Sequence, residues 1–307
     1  MSPQPAEILS GERAPLAESA WRVFCYDARV SDSLPLDIVQ RFLPYANWSL
    51  RMYLADLTWP QIAALPKSTP VVIPVAAVEQ HGQHLPVMTD SLLLGEVVRR
   101  VEPRVAEQVL FGPLMWLGNS DHHLDFAGTL SAPPRVYLDL LLGLAENLLR
   151  HGFQRLVFLN GHGGNITPGK QAVFELRQKL RDRTDLLLLF ATYWEFANPT
   201  ETRSDLVQRE MGHAGEWETS MILRIAPELV GEYDSLPDVS PAYSFEPAYR
   251  GWVTLERSAP GHIGVPRAAS AEKGEHLLQV FSAGVAQFLQ RVNRWDGHSW
   301  FWTPDPE

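Results

Sequence analysis

The chain has 307 residues, 45% hydrophobic and 20% charged, enough apolar mass for one large core, and its net charge of −10 argues against nucleic acid, which needs clustered Lys and Arg. One cysteine, Cys25, excludes an intrachain disulfide and a cysteine-rich zinc site, and no apolar run nears the roughly 20 residues that span a bilayer. The composition predicts a cytoplasmic globular protein with a small-molecule partner, no nucleic acid and no membrane, and no basic segment followed by an apolar core opens the sequence.

Residues 1–52 read as an N-terminal extension, partly irregular, rich in Pro, Ala, Ser and Glu and then in aromatics mixed with prolines. Residues 53–307 read as one domain. Strands are predicted over 71–77, 109–114, 156–159 and 186–192, and helices over 91–101, 134–150, 168–180, 216–225 and 270–292. The clearest helix is 134–150, where Val136, Leu140, Leu144 and Leu148 recur at helical spacing, Pro134 stands at the start and Gly152 follows the end. This alternation predicts an α/β fold with a mostly parallel sheet layered between helices.

Polar residues collect where these strands end. The first strand leads into a run from Glu79 to Asp90 that also holds His81 and His84, and the third leads into Asn160, Gly161, His162, Gly163, Gly164 and Asn165. In open α/β sheets the carboxyl ends of the strands carry the active site. A third segment, from Gly212 and His213 to Glu216 and Glu218, opens a helix. Acidic residues there also complement the helix dipole, and two glutamates two residues apart face different sides, so at most one should reach a site. Oxygen and nitrogen donors together suit a borderline divalent cation such as zinc or manganese.

Competing readings are weaker. A single histidine after a strand is more often a hydrogen-bonded residue than a ligand, but three such turns in one chain favour a metal. Gly164 to Lys170 has the glycine and lysine spacing of a phosphate loop, yet Gln171 stands where Ser or Thr is required and Pro168 removes an amide donor. No His-Glu-x-x-His, Gly-x-Ser-x-Gly or Gly-x-Gly-x-x-Gly motif occurs.

The three motifs, in this order, closely resemble the creatininase (creatinine amidohydrolase) family over about residues 53–289, with further matches at Leu57-Thr58-Trp59, Gly118, Ser120, Phe126, Gly128, Thr129, Gly264, Pro266 and Ala271 to Gly274. The resemblance implies a creatininase-like fold and two divalent metal ions per chain, zinc and/or manganese, with iron or cobalt as further options. It places Asp90 between the two ions, Glu79 and His162 on one, and His81 and Glu218 on the other, with a metal-bridged hydroxide as nucleophile. It makes His213 the acid/base, with Glu218 also in the catalytic set, and puts Ser120, Gly163 and His213 against the substrate. A homo-oligomer, hexameric in the family, is implied as well.

Two departures bear on the substrate. Gly163 and Gly164 stand where creatinine amidohydrolases proper carry Tyr and Glu, the Glu serving as a metal ligand in manganese-activated enzymes. Arg209 and Glu210 replace a Trp-Asp pair. The resemblance therefore does not extend to creatinine itself. The expected reaction is hydrolysis of a C–N bond in a small amide, cyclic amide or formamide. The glycine form of the loop is shared with formamide-cleaving deformylases, a peptide-trimming enzyme of cofactor maturation and hydrolases of cyclic inositol-derived ketones. A cyclic-ketone hydrolase with the same metal site is thus the alternative enzyme, and a metal-binding structural protein the alternative non-enzyme, against which the five intact donors argue. Tyr193 and Trp194, near the predicted sheet edge, fit a pocket wall and core packing equally well.

Overall fold

The computed structural model describes residues 52–241, 245 and 247–300. Two compact units divide the chain, Met1–Asn47 and Trp48–Glu307, and the fold below belongs to the second. The extension expected over 1–52, and Cys25 with it, lies outside the described residues apart from Met52.

The sheet has four parallel strands in the order β2-β1-β3-β4, where β1 is Val71–Val75, β2 Leu110–Phe111, β3 Arg155–Asn160 and β4 Leu187–Thr192. Every residue of β1 and β3 is buried, as in strands covered on both faces, which explains their unbroken apolar runs. β2 is shorter than the 109–114 expected. Gly112 and Pro113 interrupt it, Pro113 having no N–H for a ladder, and contact resumes where the Met115 N–H donates to the Pro74 carbonyl at 2.9 Å. Pro74 is tolerated inside β1 because β2 pairs only Val71 and Val72.

Seven helices surround the sheet among the described residues: α1 Trp59–Ala64, α2 Thr89–Val101, α3 Pro134–Arg150, α4 Ile166–Lys179, α5 Glu216–Ile225, α6 Thr254–Arg257 and α7 Ala271–Arg294. The bounds of α3 and α5 coincide with those expected, whereas α1 and α6 had no periodic signal. α1 starts at a capping box in which the Thr58 N–H donates to Gln61 Oε1 at 2.8 Å, and α7 at Ser270, whose Oγ accepts from the Lys273 N–H at 3.2 Å.

The inward face of α3 is not the stripe that marked it as a helix. Its buried face is Tyr137, Leu141, Ala145 and Leu148, while Val136 is 58% and Leu140 40% exposed. The helix is apolar on both sides, so spacing alone did not say which stripe faces inward.

Val71, Ile73 and Val75 of β1 and Leu156 and Phe158 of β3 pack with Tyr137 and Leu141 of α3 and Ala172 and Leu176 of α4 in one core. Each such side chain stabilises the fold by about 1.5–3 kcal/mol. α2, α5 and α7 pack on one another as the opposite layer. Register aligns Val75 with Asn160 and Asn160 with Thr192, so the strands finish level and their carboxyl ends form one edge. Among the described residues no helix is long and apolar enough to cross a membrane.

Candidate metal centre

Three loops deliver side chains to that edge. Beyond β1 the backbone returns so that the Glu79 N–H meets the Val87 carbonyl at 2.9 Å, with the left-handed Gly82 (φ +65°) at the turn. Asp90 then lies in the first turn of α2. Beyond β3, Asn160 holds the turn from both sides: its Oδ1 accepts from the His162 N–H (3.1 Å) and its Nδ2 donates to the His162 carbonyl (2.7 Å). Ahead of α5, Ala214 adopts φ +48°, a strained position for a side-chain-bearing residue, and its N–H donates to Glu218 Oε2 at 2.5 Å.

The five expected donors converge. Glu79, Asp90 and His162 form one triad and His81, Asp90 and Glu218 another, with the ligand atoms of each within 4.8 Å of one another and all five side chains buried. Asp90 belongs to both. Its Oδ1 lies 3.3 Å from His81 Nε2 and its Oδ2 3.0 Å from His162 Nδ1. Glu79 Oε1 is 3.2 Å from His162 Nδ1, and Glu218 Oε1 is 3.7 Å from His81 Nε2.

Hydrogen bonds on the far side of each ring fix which nitrogen faces inward. His81 Nδ1 lies 3.1 Å from the Glu79 carbonyl and His162 Nε2 2.9 Å from the Asn119 carbonyl; a carbonyl only accepts, so both nitrogens carry the hydrogen. His81 Nε2 and His162 Nδ1 therefore turn toward carboxylate oxygens. Glu79 Oε2, His81 Nε2 and Asp90 Oδ2 are buried without a hydrogen-bond partner. Lone pairs so opposed need a proton or a cation between them. Donors about 2.0–2.2 Å from a common cation stand roughly 3.0–3.5 Å apart, which is close to the spacing found.

The electrostatics agree. Burial opposes a charge on His81, yet Asp90 and Glu218 hold its pKa well above the ordinary value; burial likewise opposes a charge on His162, and Glu79 and Asp90 raise it. Burial would push Asp90 up, and His81 and His162 instead take it below the usual carboxylate range. Burial raises the Glu79 pKa against the pull of His162.

His213 stands between His81 and His123, with ring centroids 4.4 and 4.3 Å away. Its Nε2 donates to the Gln80 carbonyl at 2.9 Å, leaving Nδ1 as an open lone pair 3.6 Å from Glu79 Oε1. Burial first, then the neighbouring His81, lowers its pKa well below the usual histidine value.

Glu216 and Glu218 separate as expected. Glu218 faces the donors, whereas Glu216 points the other way and takes the Lys273 ammonium at 2.6 Å and the Val207 and Gln208 N–H groups at 2.8 and 2.7 Å. Ser120 is fully buried, with Oγ 3.2 Å from His162 Nε2. Gly163 is exposed at the rim, where an added Cβ would meet nothing within 4 Å, while a Cβ on Gly164 would run into the Asn119 carbonyl and the His162 ring. Tyr193 belongs to the core, edge-on to Phe281, so packing is its role. His84 turns aside to Thr219 Oγ1 at 2.8 Å.

Three neighbours escaped the sequence reading. Gln80 Oε1 accepts from the Gly82 N–H (2.8 Å), so its Nε2 is the donor, reaching the Gly261 carbonyl and His123 Nδ1, each at 2.8 Å. His123 is thereby an acceptor at Nδ1 and carries its hydrogen on Nε2, directed at Glu79 Oε2 3.5 Å away. Glu79, His122 and His123 also lie close enough to hold an ion. His122 stacks on His162 at 5.9 Å. The adjacent pair His122-His123, inside a segment already matched from Gly118 to Thr129, was the available signal.

Comparison with known proteins accords with this arrangement. The creatininase family profile, described as creatinine amidohydrolase, matches residues 55–289. A creatinine amidohydrolase of Pseudomonas putida is 30% identical over 258 residues, 79% of this chain and 97% of that protein. A mycofactocin precursor peptide peptidase of Mycobacterium tuberculosis is 32% identical over 247 residues, 75% of this chain and 88% of that one. Solved creatininases superpose well: a variant of Zn-Zn type has a TM-score of 0.68 at 28% identity, covering 80% of this chain and 99% of that chain, and a manganese form has 0.67 at 27%, covering 80% and 100%. The chain belongs to the creatininase family, and it is a metal-dependent amidohydrolase.

Proposed function

We propose that the protein holds two divalent cations on Glu79, His81, Asp90, His162 and Glu218 and hydrolyses the C–N bond of a small amide or peptide. The observation that carries this reading is Asp90, whose two oxygens face two different imidazoles at 3.3 and 3.0 Å, each within its own donor triad. Mixed carboxylate and imidazole donors suit zinc or manganese, and also accept iron or cobalt.

When bound, such a pair of cations supplies Lewis acidity and lowers the pKa of water toward neutrality. The chain's own groups do the rest. His213 presents an unprotonated Nδ1 toward the centre and is held there by the Gln80 carbonyl on Nε2, which suits it to accept a proton and pass it to the leaving nitrogen. Glu218 keeps the His213–Ala214 turn in place through the Ala214 N–H. Gly163 leaves the rim open for a substrate, and Ser120, buried behind His162, supports the imidazole rather than touching substrate. Gly164 admits no glutamate on this backbone, which disfavours creatinine as the substrate. The names of both curated relatives denote cleavage of a C–N bond, one in a ring and one in a peptide.

We also propose a cytoplasmic homo-oligomer, hexameric by family, built without nucleic acid or membrane. The test is metal content per chain by mass spectrometry, paired with a turnover screen of creatinine, cyclic amides, formamides, short peptides and cyclic polyol ketones. About two ions with release of amine, ammonia or formate is the expected result. Turnover of a ketone alone would replace the amide reading, and no ions with no turnover would remove it.

A further inference from the structure

The described residues between Gly231 and His262 are tied to the loops around the centre at several points. The Gly231 N–H donates to the His84 carbonyl at 2.8 Å, His262 Nε2 to the Pro237 carbonyl at 2.8 Å, and Val239 bridges Gly264. The tie nearest the chemistry is Thr254, fully buried at the start of α6, whose Oγ1 lies 2.9 Å from His123 Nδ1.

One turn further along α6, on the same side of the helix, stands Arg257. Its guanidinium lies over the Trp252 ring at 4.4 Å, and the Trp252 ring meets His122 edge-on at 5.0 Å. His122 in turn stacks on His162. A continuous wall of flat groups thus runs from a candidate metal ligand out to a cation. Arg257 spends one N–H on the Pro241 carbonyl at 2.6 Å and has no carboxylate partner among the described residues, while Arg99, Arg100, Arg203 and Arg267 each have one.

A guanidinium spread on an indole keeps its charge and turns its N–H edge outward, the geometry that grips a carboxylate in two places. The setting gives this cation work to do, because the chain's net charge of −10 discourages an anion from approaching.

We infer that Arg257, Trp252 and His122 form a carboxylate-binding subsite beside the metal centre, so that the amide substrate carries a free carboxylate and an apolar or aromatic group next to it. The subsite rests on the amidohydrolase reading of the same centre. It selects among amides and takes no part in bond cleavage.

The test uses the full metal-loaded chain and two matched pairs of probes, hippurate with hippuramide and N-acetylglycine with N-acetylglycinamide, followed by calorimetry. The acid of at least one pair is expected to bind about tenfold tighter than its amide, and Arg257→Gln is expected to abolish that preference with amide affinity and metal content unchanged. Acids no tighter than amides would overturn the subsite. So would a preference that survives Arg257→Gln, which would put the carboxylate on the ions instead. Should Arg257→Gln disturb folding, the unaltered protein decides: hippurate, and not hippuramide, should protect Arg257 from phenylglyoxal as read by peptide mass spectrometry, and absent protection overturns the proposal. Because binding is read independently of turnover, a protein that prefers the acids yet cleaves no amide would fault the hydrolase reading and leave the subsite standing.

Discussion

Lys273 and Glu216 meet at 2.6 Å between α7 and α5, with the carboxylate sealed from solvent and the ammonium nearly so. The pair sets where α5 begins, and the first turn of α5 carries Glu218. Lys273→Met leaves a buried carboxylate with only its two backbone N–H partners, and removal of one member of a buried pair costs about 3–5 kcal/mol. At roughly 2–4 °C per kcal/mol for a chain of this size, the melting temperature should fall by about ten degrees. A shift under two degrees in thermal denaturation would show that the pair does not anchor the helix.

Asp90 is shared and Glu218 is not. Asp90→Ala should therefore lose both ions, whereas Glu218→Ala should lose chiefly one, as elemental analysis after dialysis would report. Full occupancy in both variants contradicts the ligand assignment. Circular dichroism provides the control, since both substitutions remove a buried carboxylate that faces an imidazole of raised pKa in the metal-free site.

His213 should separate from the ligands in kinetics. His213→Gln is expected to lower kcat by about 10²–10⁴-fold, the usual contribution of a general acid/base, with KM changed little and both ions retained. Loss of an ion in this variant would instead make His213 a ligand, an outcome its open Nδ1 near Glu79 permits.

The five donors were legible through the family motifs, and each of them follows a strand or opens a helix, so that local sequence and position in the fold agree. Gln80 and His123 were not, because their roles come from partners 43 and 181 residues away that only the fold brings near. Arg257 was hidden for the same reason: α6 is four residues long and carries no periodicity. In α3 the spacing gave the helix and its bounds but not its inward face, since Val136 and Leu140 repeat at helical spacing yet look outward.

Acid should weaken the loaded protein more than the empty one. Burial depresses the pKa of His84 and His122 to about 4, and of His123 and His213 further, so the unfolded chain takes up these protons first. Their contribution is whole above about pH 6.5 and drains as pH falls toward 4. His81 and His162, raised in the metal-free chain, act in the opposite sense, contributing below about pH 6.5 and losing that contribution as pH rises through their folded values. Bound ions strip both of their protons, so in the loaded protein they join the first group. Urea midpoints at pH 7, 6 and 5, with and without chelator, should fall more steeply for the loaded form; a steeper fall in the chelated protein would sink this account.

The outward stripe of α3 makes the final case. Val136 and Leu140 lead along the helix to Leu144 and Leu148, which line an apolar hollow of about 620 Å³ together with Leu54, Trp59 and Ile62, and Trp59 is 81% exposed. Apolar area on one face is worth about 25 cal/mol for each Å² covered. A homo-oligomer that closes over α1 and α3 would bury it. Val136→Glu combined with Leu140→Glu should then shift the sedimentation coefficient toward the monomer while leaving metal content intact, because both side chains are exposed on α3 and neither belongs to the candidate donor set. An unaltered assembly in the double variant would move the interface to another face, and a native protein that sediments as a monomer would leave the hollow to a different occupant.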